Sequence, residues 1–177
     1  MFLTLIGYRA TGKTTLAKLL AAELGCDWAD SDEEIERRTG KDIAQLFAAQ
    51  GEEAFRRLEI SVIAELCRRD RLVLAAGGGA PLRAENRQAI RQAGKVVCLT
   101  ARPETILARM AADPRNRQLR PRLTAKEPAE EIVQLLQFRT PIYRALADVV
   151  VATDELDPPT LVRHIIKELF GTERPLV

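Results

Sequence analysis

Residues 3–18 read LTLIGYRATGKTTLAK, and this stretch decides the fold. An apolar run over residues 2–6 ends at Gly7, and the residues after Gly12 have the apolar spacing of a helix. Residues 7–14, called here the phosphate loop, fit the pattern GxxxxGK followed by Ser or Thr. Glycines in such a loop let backbone N–H groups surround phosphate oxygens, and the helix N-terminus adds a positive dipole. The stretch therefore predicts nucleotide binding.

The phosphate loop also predicts individual contacts. Lys13 is expected to reach the outer phosphates of the nucleotide, and Thr14 to offer its hydroxyl to Mg²⁺. ATP and Mg²⁺ are therefore the expected co-substrate and metal. The expected nucleotide-binding residues of this stretch are Gly7, Ala10, Thr11, Gly12, Lys13, Thr14 and Thr15.

Composition describes one globular domain spanning residues 1–177, in which 46% of residues are hydrophobic and 29% are charged. The net charge is only +2, and acids and bases interleave along the chain, so the sequence has no basic stripe for nucleic acid. No apolar run approaches the ~20 residues that span a bilayer. We expect a monomer that binds neither nucleic acid nor membrane.

The cysteines indicate a reducing compartment. Cys26, Cys67 and Cys98 are odd in number, widely spaced and in apolar or helical contexts, which favours reduced thiols. Met1 leads directly into a strand rather than into a basic start and a long apolar region, so we expect no secretory signal. The expected location is the cytoplasm.

Strand and helix signals alternate along the chain, which predicts a parallel sheet flanked by helices. Strands are predicted at residues 2–6, 26–29, 72–76, 96–99 and 149–152, with helices between them and after the last. Ser31 and Glu34 fit a capping box that starts a helix near Asp32. Asp42 is expected to cap the next helix, which Gly51 then breaks.

Polar residues and glycines follow the predicted strands, where ligands bind in sheets of this class. Asp30 and Asp32 come after the second strand. One acid beside a phosphate loop can hold Mg²⁺ through its water shell, and a second can orient or deprotonate an attacking hydroxyl. The alternative is that both acids complement the dipole of the next helix. Residues 77–79, all glycine, favour close approach to a small ligand over a turn that needs a positive φ.

Residues 113–126, DPRNRQLRPRLTAK, are too polar to build core, and we expect a mobile lid there. Arginines in such a segment can swing over phosphates as it closes and neutralise developing charge. Arg115, Arg117 and Arg120 are the candidates. His164, the only histidine, lies in the final predicted helix and is given no role, so any general base must be a carboxylate.

Taken in order, six segments resemble the shikimate kinase family. They are GYRATGKTT at 7–15, DSD at 30–32, GKDIAQLFAAQGEEAFRRLE at 40–59, GGGAPL at 77–82, RPRLT at 120–124 and RTPIYRALAD at 139–148. The resemblance implies the fold of small nucleoside monophosphate kinases, with substrate-binding helices at about 32–60. It also implies transfer of the ATP γ-phosphoryl group to the 3-hydroxyl of shikimate.

The same resemblance implies residue roles. Lys13 and Arg120 serve the phosphates, Asp30 helps Thr14 hold the metal, and Asp32 faces the reacting hydroxyl. Arg56 and Arg139 grip the shikimate carboxylate. The remaining roles fall to Glu59, which orients Arg56; to Gly78 and Gly79, against the ring; to Phe47 and Phe55, which wall the pocket; and to Arg109, stacked by adenine. Bidentate arginines for a carboxylate and an acid for hydroxyls fit a small anionic polyol.

Three positions depart from the family pattern. Ala10 stands where the family usually has glycine, the lid is longer than in many members, and residues 153–158 lack a basic residue that some relatives carry. Two alternatives remain open. Another metabolite kinase, such as a gluconate kinase, would share the phosphate loop and the acid but not the two placed arginines. A nucleotide-dependent switch that binds guanine would carry NKxD, which is absent from this sequence.

Overall fold

A computed structural model describes residues 1–113 and 128–171. Its sheet has five parallel strands in the order β2-β3-β1-β4-β5. The strands are β1 Phe2–Gly7, β2 Asp27–Asp30, β3 Leu72–Ala75, β4 Lys95–Thr100 and β5 Val149–Ala152. The helices are α1 Lys13–Leu24, α2 Ser31–Thr39, α3 Ile43–Leu66, α4 Ala84–Ala93, α5 Pro103–Ala112, α6 Pro128–Leu146 and α7 Pro158–Phe170, with a 3₁₀ turn at Ala80–Leu82. The predicted five-stranded parallel sheet is confirmed.

The central strand β1 is buried along its whole length, between β3 and β4. Leu5 lies opposite Ala75 on one side and Val97 on the other. Strands that are covered on both faces read as continuous apolar runs, which is why the sequence of β1 and β3 shows no alternation. The carboxyl ends of β1, β2 and β3 therefore meet at one edge of the sheet, where the candidate site lies.

Glycine and aspartate set the ends of the first helices. Gly25 ends α1 in the left-handed conformation with φ 62°, as predicted. Asp42 caps α3 in a capping box with Gln45. Gly51 has φ 78° and ψ 171° inside α3, so the chain bends there and forms two helical halves. The predicted break at Gly51 is confirmed.

The capping box predicted at Ser31 and Glu34 is wrong. Asp30 caps α2 instead, since its Oδ1 accepts from the backbone N–H groups of Asp32 at 2.9 Å and Glu33 at 3.4 Å. The Ser31 hydroxyl, which is fully buried, accepts from the Gly77 N–H at 2.8 Å. The serine thus joins α2 to the loop after β3, a long-range contact that no local sequence pattern reveals.

Apart from Asp113, the lid predicted at 113–126 lies outside the described residues. Within the two described ranges, none of the helices is both long enough and apolar enough to cross a bilayer.

Candidate active site

The phosphate loop is shaped by two glycines in the left-handed half of conformational space. Gly7 has φ 142°, and a Cβ there would lie 2.3 Å from the carbonyl oxygen of Leu99. Gly12 has φ 90° and begins α1 without a side-chain cap. The first N–H groups of α1 are therefore left for an anion, which the helix dipole also favours.

The loop's side chains hold its own backbone. Lys13 Nζ donates to the carbonyl oxygens of Gly7 at 3.0 Å and Tyr8 at 2.8 Å. The Thr11 hydroxyl, which is buried, donates to the Tyr8 carbonyl at 2.8 Å. Ala10 is the non-glycine residue with positive φ, 61°, among the residues described. An alanine in this conformation is strained, because its Cβ crowds the following carbonyl oxygen.

A cavity opens over this loop, and we call it the phosphate cavity. Five of the loop-side residues that line it are Ala10, Gly12, Lys13, Thr14 and Thr15, and Asp30 and Asp32 line its other side. Gly7 and Thr11, also predicted to bind nucleotide, are not in its lining, since Gly7 lies against the Leu99 carbonyl and the Thr11 hydroxyl bonds the Tyr8 carbonyl. The structure thus brings together most of the predicted nucleotide contacts.

Thr14 and Asp30 form a pair of oxygen donors in the phosphate cavity. The Thr14 hydroxyl lies 2.6 Å from Asp30 Oδ2, while Asp30 Oδ1 caps α2. Mg²⁺ binds through hard oxygen ligands, and it keeps several waters and takes only one or two protein ligands beside nucleotide phosphates. The donor set therefore fits Mg²⁺. Within the described part of the chain no cluster of three or more His, Cys, Asp or Glu residues forms an all-protein metal cage.

A second cavity adjoins the first, and we call it the acceptor cavity. All eight residues predicted to bind substrate line it: Asp32, Phe47, Phe55, Arg56, Glu59, Gly78, Gly79 and Arg139. Asp32 and Gly78 line both cavities. The two phenylalanine rings lie with centroids 4.7 Å apart and form an apolar wall. The chain thus places one carboxylate where a small ligand and a nucleotide phosphate would meet.

Arg56 is held from both sides by acids of α3. Its Nη1 donates to Glu59 Oε2 at 3.0 Å, and its Nη2 donates to Glu52 Oε1 at 3.1 Å. Burial alone would lower the pKa of Arg56, but the charge and hydrogen bond of Glu59 raise it above its usual value. Glu59 is 1% exposed, and both Glu59 and Arg56 line the acceptor cavity. The structure thus places Glu59 in contact with Arg56, whose orientation the resemblance assigns to it.

Arg139 lies on α6, and its environment differs from that of Arg56. It is 8% exposed, and its Cζ lies 5.6 Å from the centroid of the Tyr8 ring. Its buried Nε has no hydrogen-bond partner among residues 1–113 and 128–171. A buried guanidinium whose donors are incompletely used is suited to bind an anion.

The three glycines after β3 give room to the acids and arginines of the site. None of them has a positive φ, so the alternative of a turn that requires one is wrong. A Cβ at Gly77 would lie 2.5 Å from Asp32 Oδ1, and a Cβ at Gly79 would lie 2.5 Å from Arg56 Nη1. The backbone here approaches side chains that define the acceptor cavity, and any larger residue would displace them.

The sequence predicted no role for several residues at the acceptor cavity. Tyr8, Arg9 and Ile43 line the acceptor cavity, and the buried Tyr143 hydroxyl donates to the Gly78 carbonyl at 2.5 Å. Burial raises the pKa of Tyr143 to about 12, although the Arg139 charge acts in the opposite direction. Tyr8 and Arg9 occupy positions where the phosphate-loop pattern accepts any residue, so the pattern carries no signal for them.

Arg109 was predicted to lie against adenine, and it binds the backbone near the phosphate loop. Arg109 donates to the Thr153 hydroxyl at 2.9 Å and to the Ala10 carbonyl at 3.3 Å, so it joins the region after β5 to the phosphate loop. It lines neither cavity. Arg115, Arg117 and Arg120 lie outside the described residues.

Comparison with known proteins identifies relatives along nearly the whole chain. The family model described as shikimate kinase matches residues 9–170. A shikimate kinase of Pseudomonas savastanoi pv. phaseolicola is 48% identical over 167 residues, which cover 94% of this chain and 95% of the relative. The solved shikimate kinase from Acinetobacter baumannii in complex with shikimate superposes with a TM-score of 0.89 at 37% identity, covering 98% of this chain and 95% of that one.

A gluconokinase from Sinorhizobium meliloti bears on the main alternative. It has a TM-score of 0.57 at 16% identity and covers 94% of this chain and 90% of its own. At that identity the likeness is one of fold alone. The family model, the curated relative and the solved structure, by contrast, agree along nearly the full length, and on these grounds the chain belongs to the shikimate kinase family.

Proposed function

We propose that this protein transfers the γ-phosphoryl group of ATP to the 3-hydroxyl of shikimate and releases ADP and shikimate 3-phosphate. One observation carries the proposal: a cavity lined by two buried arginines opens beside a phosphate loop, and Asp32 lines both spaces. Family membership and the relative solved in complex with shikimate support the choice of acceptor.

Shikimate is a small ring with one carboxylate and three hydroxyls, and the acceptor cavity offers a group for each feature. Arg56 and Arg139 are the cations for the carboxylate, since guanidinium and carboxylate pair through two parallel hydrogen bonds. Phe47 and Phe55 supply the apolar wall, and the Gly79 backbone admits the ring. Asp32 is the acceptor for the ring hydroxyls.

In the transfer, the shikimate 3-hydroxyl oxygen attacks the γ-phosphorus while the bond from that phosphorus to the ADP oxygen breaks. The hydroxyl proton passes to the Asp32 carboxylate, and the leaving ADP takes the negative charge. Asp32 is suited to this step because it lines both cavities. Positioning and charge neutralisation carry such a reaction, without a covalent enzyme intermediate.

Lys13, Thr14 and Asp30 are the proposed partners of the phosphates and the metal. Lys13 exchanges its contacts with the Gly7 and Tyr8 carbonyls for phosphate oxygens. Thr14 would hold Mg²⁺ through its hydroxyl, with Asp30 behind it at 2.6 Å. When bound, Mg²⁺ neutralises charge on the phosphates.

Several further assignments rest on the sequence. Arg120 is proposed as the lid arginine that neutralises the transferred phosphoryl group, and Arg109 as the residue against adenine. We also propose a single kinase domain over residues 1–177, a monomer, and a cytoplasmic location. Three free cysteines in the described chain are in keeping with a reducing compartment.

An ADP-release assay across acceptors tests the function. Shikimate should support turnover, while gluconate and nucleoside monophosphates should give no more than the background ATP hydrolysis. The two guanidiniums and the apolar wall favour a cyclic carboxylate over a nucleotide base. Turnover with gluconate equal to that with shikimate would favour the alternative kinase, and ATP hydrolysis without any acceptor would favour a switch.

A further inference from the structure

A buried acid of α6 contacts the phosphate loop from outside both cavities. Glu131 Oε1 lies 3.3 Å from Arg9 Nη2, across 122 residues of sequence. Glu131 is 3% exposed and lines neither cavity. Glu131 therefore supports a residue of the site without lining the site itself.

Arg9 lies on the wall that the two cavities share. It lines both of them, and its Cζ is 5.6 Å from the centroid of the Tyr8 ring. Its Nε is buried and has no hydrogen-bond partner in the described chain. Among the described residues, the hydrogen bond to Glu131 is thus the one that fixes the direction of the Arg9 guanidinium.

A simpler explanation for an acid at position 131 is that it stabilises α6. The neighbouring Glu130 shows what that explanation covers. Glu130 and Glu131 both lie in the first turn of α6, where either charge complements the helix dipole. Glu130 is exposed, whereas Glu131 is buried and pairs with Arg9. A buried ion pair is weak evidence for stability, because desolvation offsets much of its attraction. The dipole thus accounts for both acids but not for the burial of one against the loop.

We propose that Glu131 is a positioning residue for phosphoryl transfer, which holds the Arg9 guanidinium at the wall between the acceptor and phosphate cavities. The proposal rests on the proposed function. A cation at this wall faces an anionic acceptor on one side and phosphates on the other, where preorganised charge stabilises the transition state most. Without the acid behind it, Arg9 loses the bond that sets its direction.

A double-mutant cycle tests whether Glu131 acts through Arg9. Glu131→Gln keeps the size of the side chain and removes its charge, and it is measured in the wild type and in Arg9→Met. In the wild type we expect kcat/KM for shikimate to fall about three- to thirtyfold, which lies within the range of coupling between contacting residues. In the Arg9→Met background the same change should alter kcat/KM by less than about twofold.

Glu130→Gln is the matched control, and kcat/KM should stay within about twofold of the wild type because this acid is exposed. Glu131→Asp, which keeps the charge but shortens the side chain, should give a smaller loss that also disappears without Arg9. It replaces Glu131→Gln in the cycle if the latter fails to fold by circular dichroism.

Equal losses in both backgrounds would overturn the proposal, and so would an unchanged kcat/KM in the Glu131 variants of the wild type. A wild-type chain that releases no ADP with shikimate contradicts the proposed function instead. In that case the same cycle measured on ATP affinity decides the role of Glu131, because Arg9 also lines the phosphate cavity.

Discussion

At the scale of single residues, the proposed choice of acceptor rests on two buried arginines. Arg56→Ala and Arg139→Ala should each weaken shikimate binding about 10- to 100-fold, since each removes hydrogen bonds to a charged ligand. ATP affinity should change by less than about twofold, because neither arginine lines the phosphate cavity. Calorimetric titration of each ligand separately gives both constants.

Arg144→Ala is the control for this pair, because Arg144 lies on the same helix as Arg139 and is exposed. Arg139→Ala is the cleaner variant, since no acid of the described chain forms a salt bridge with Arg139, whereas Arg56→Ala removes the arginine that pairs with the buried Glu59 at 3.0 Å. Unchanged shikimate affinity in both variants would contradict the assignment of the cavity.

Ala10 stores backbone strain in the phosphate loop. Its φ of 61° costs an L-residue about 1–2 kcal/mol, a cost that glycine avoids. Glycine also makes the unfolded chain more flexible, which lowers the free energy of unfolding by about 0.4–1 kcal/mol. Ala10→Gly should therefore raise the free energy of unfolding by about 0.5–1 kcal/mol in urea denaturation. Ala22→Gly, on the exposed side of α1, should lower it by about 1 kcal/mol. A loss at both positions would show that Ala10 is not strained.

At the scale of elements, the glycine loop after β3 leaves space for the Arg56 guanidinium. In Gly79→Ala the new Cβ would lie 2.5 Å from Arg56 Nη1, and the guanidinium, at the end of a flexible side chain, must move. We expect the shikimate KM to rise about tenfold, with ATP KM and the unfolding midpoint nearly unchanged. In an Arg56→Ala background the same glycine change should have little further effect. An additive loss there would show that Gly79 acts on something other than Arg56.

Secondary structure was predictable from sequence wherever the signal is local. The apolar run of β1, the glycine that ends α1 and the break at Gly51 each follow from the residues at that point. The N-cap of α2 was not predictable, because Ser31 fits a cap locally but bonds the distant Gly77 N–H. Local patterns assign elements well, and they fail where a polar side chain has a tertiary partner.

The candidate site divides in the same way. Motif residues such as Lys13 and Thr14 have fixed spacing, so they were predictable, and the arginine pair followed from the family resemblance. Tyr8 and Arg9 were missed because they occupy unconstrained positions of the loop pattern, and the role of Glu131 depends on the packing of α6 against the loop. Contacts between distant elements require the folded chain.

At the scale of the whole molecule, buried cysteine thiols make the free energy of unfolding fall at alkaline pH. Burial raises the pKa of the Cys67 and Cys98 thiols from 9.0 to about 11. Between these values the unfolded chain has lost thiol protons that the folded chain keeps, so the free energy of unfolding falls as pH rises from 9 to 11. We expect a decline of about 1–3 kcal/mol, less than the full shifts imply because Cys67 is partly exposed.

Urea denaturation at several pH values measures this decline. Cys67→Ala and Cys98→Ala should each make it shallower, because alanine has no proton to lose. The alkaline prediction fails if both variants decline as steeply as the wild type. Burial raises the pKa of Tyr143 from 10.0 to about 12, so this phenol adds to the decline between pH 10 and pH 12.

Phosphorus NMR of a reaction with ATP and shikimate tests the central claim most directly. The account predicts loss of the γ-phosphate signal together with stoichiometric growth of one phosphomonoester signal, coupled to the ring proton at the carbon of the 3-hydroxyl. Appearance of inorganic phosphate alone, or of a phosphomonoester on another hydroxyl, would contradict the placement of the acceptor between Asp32 and the arginine pair.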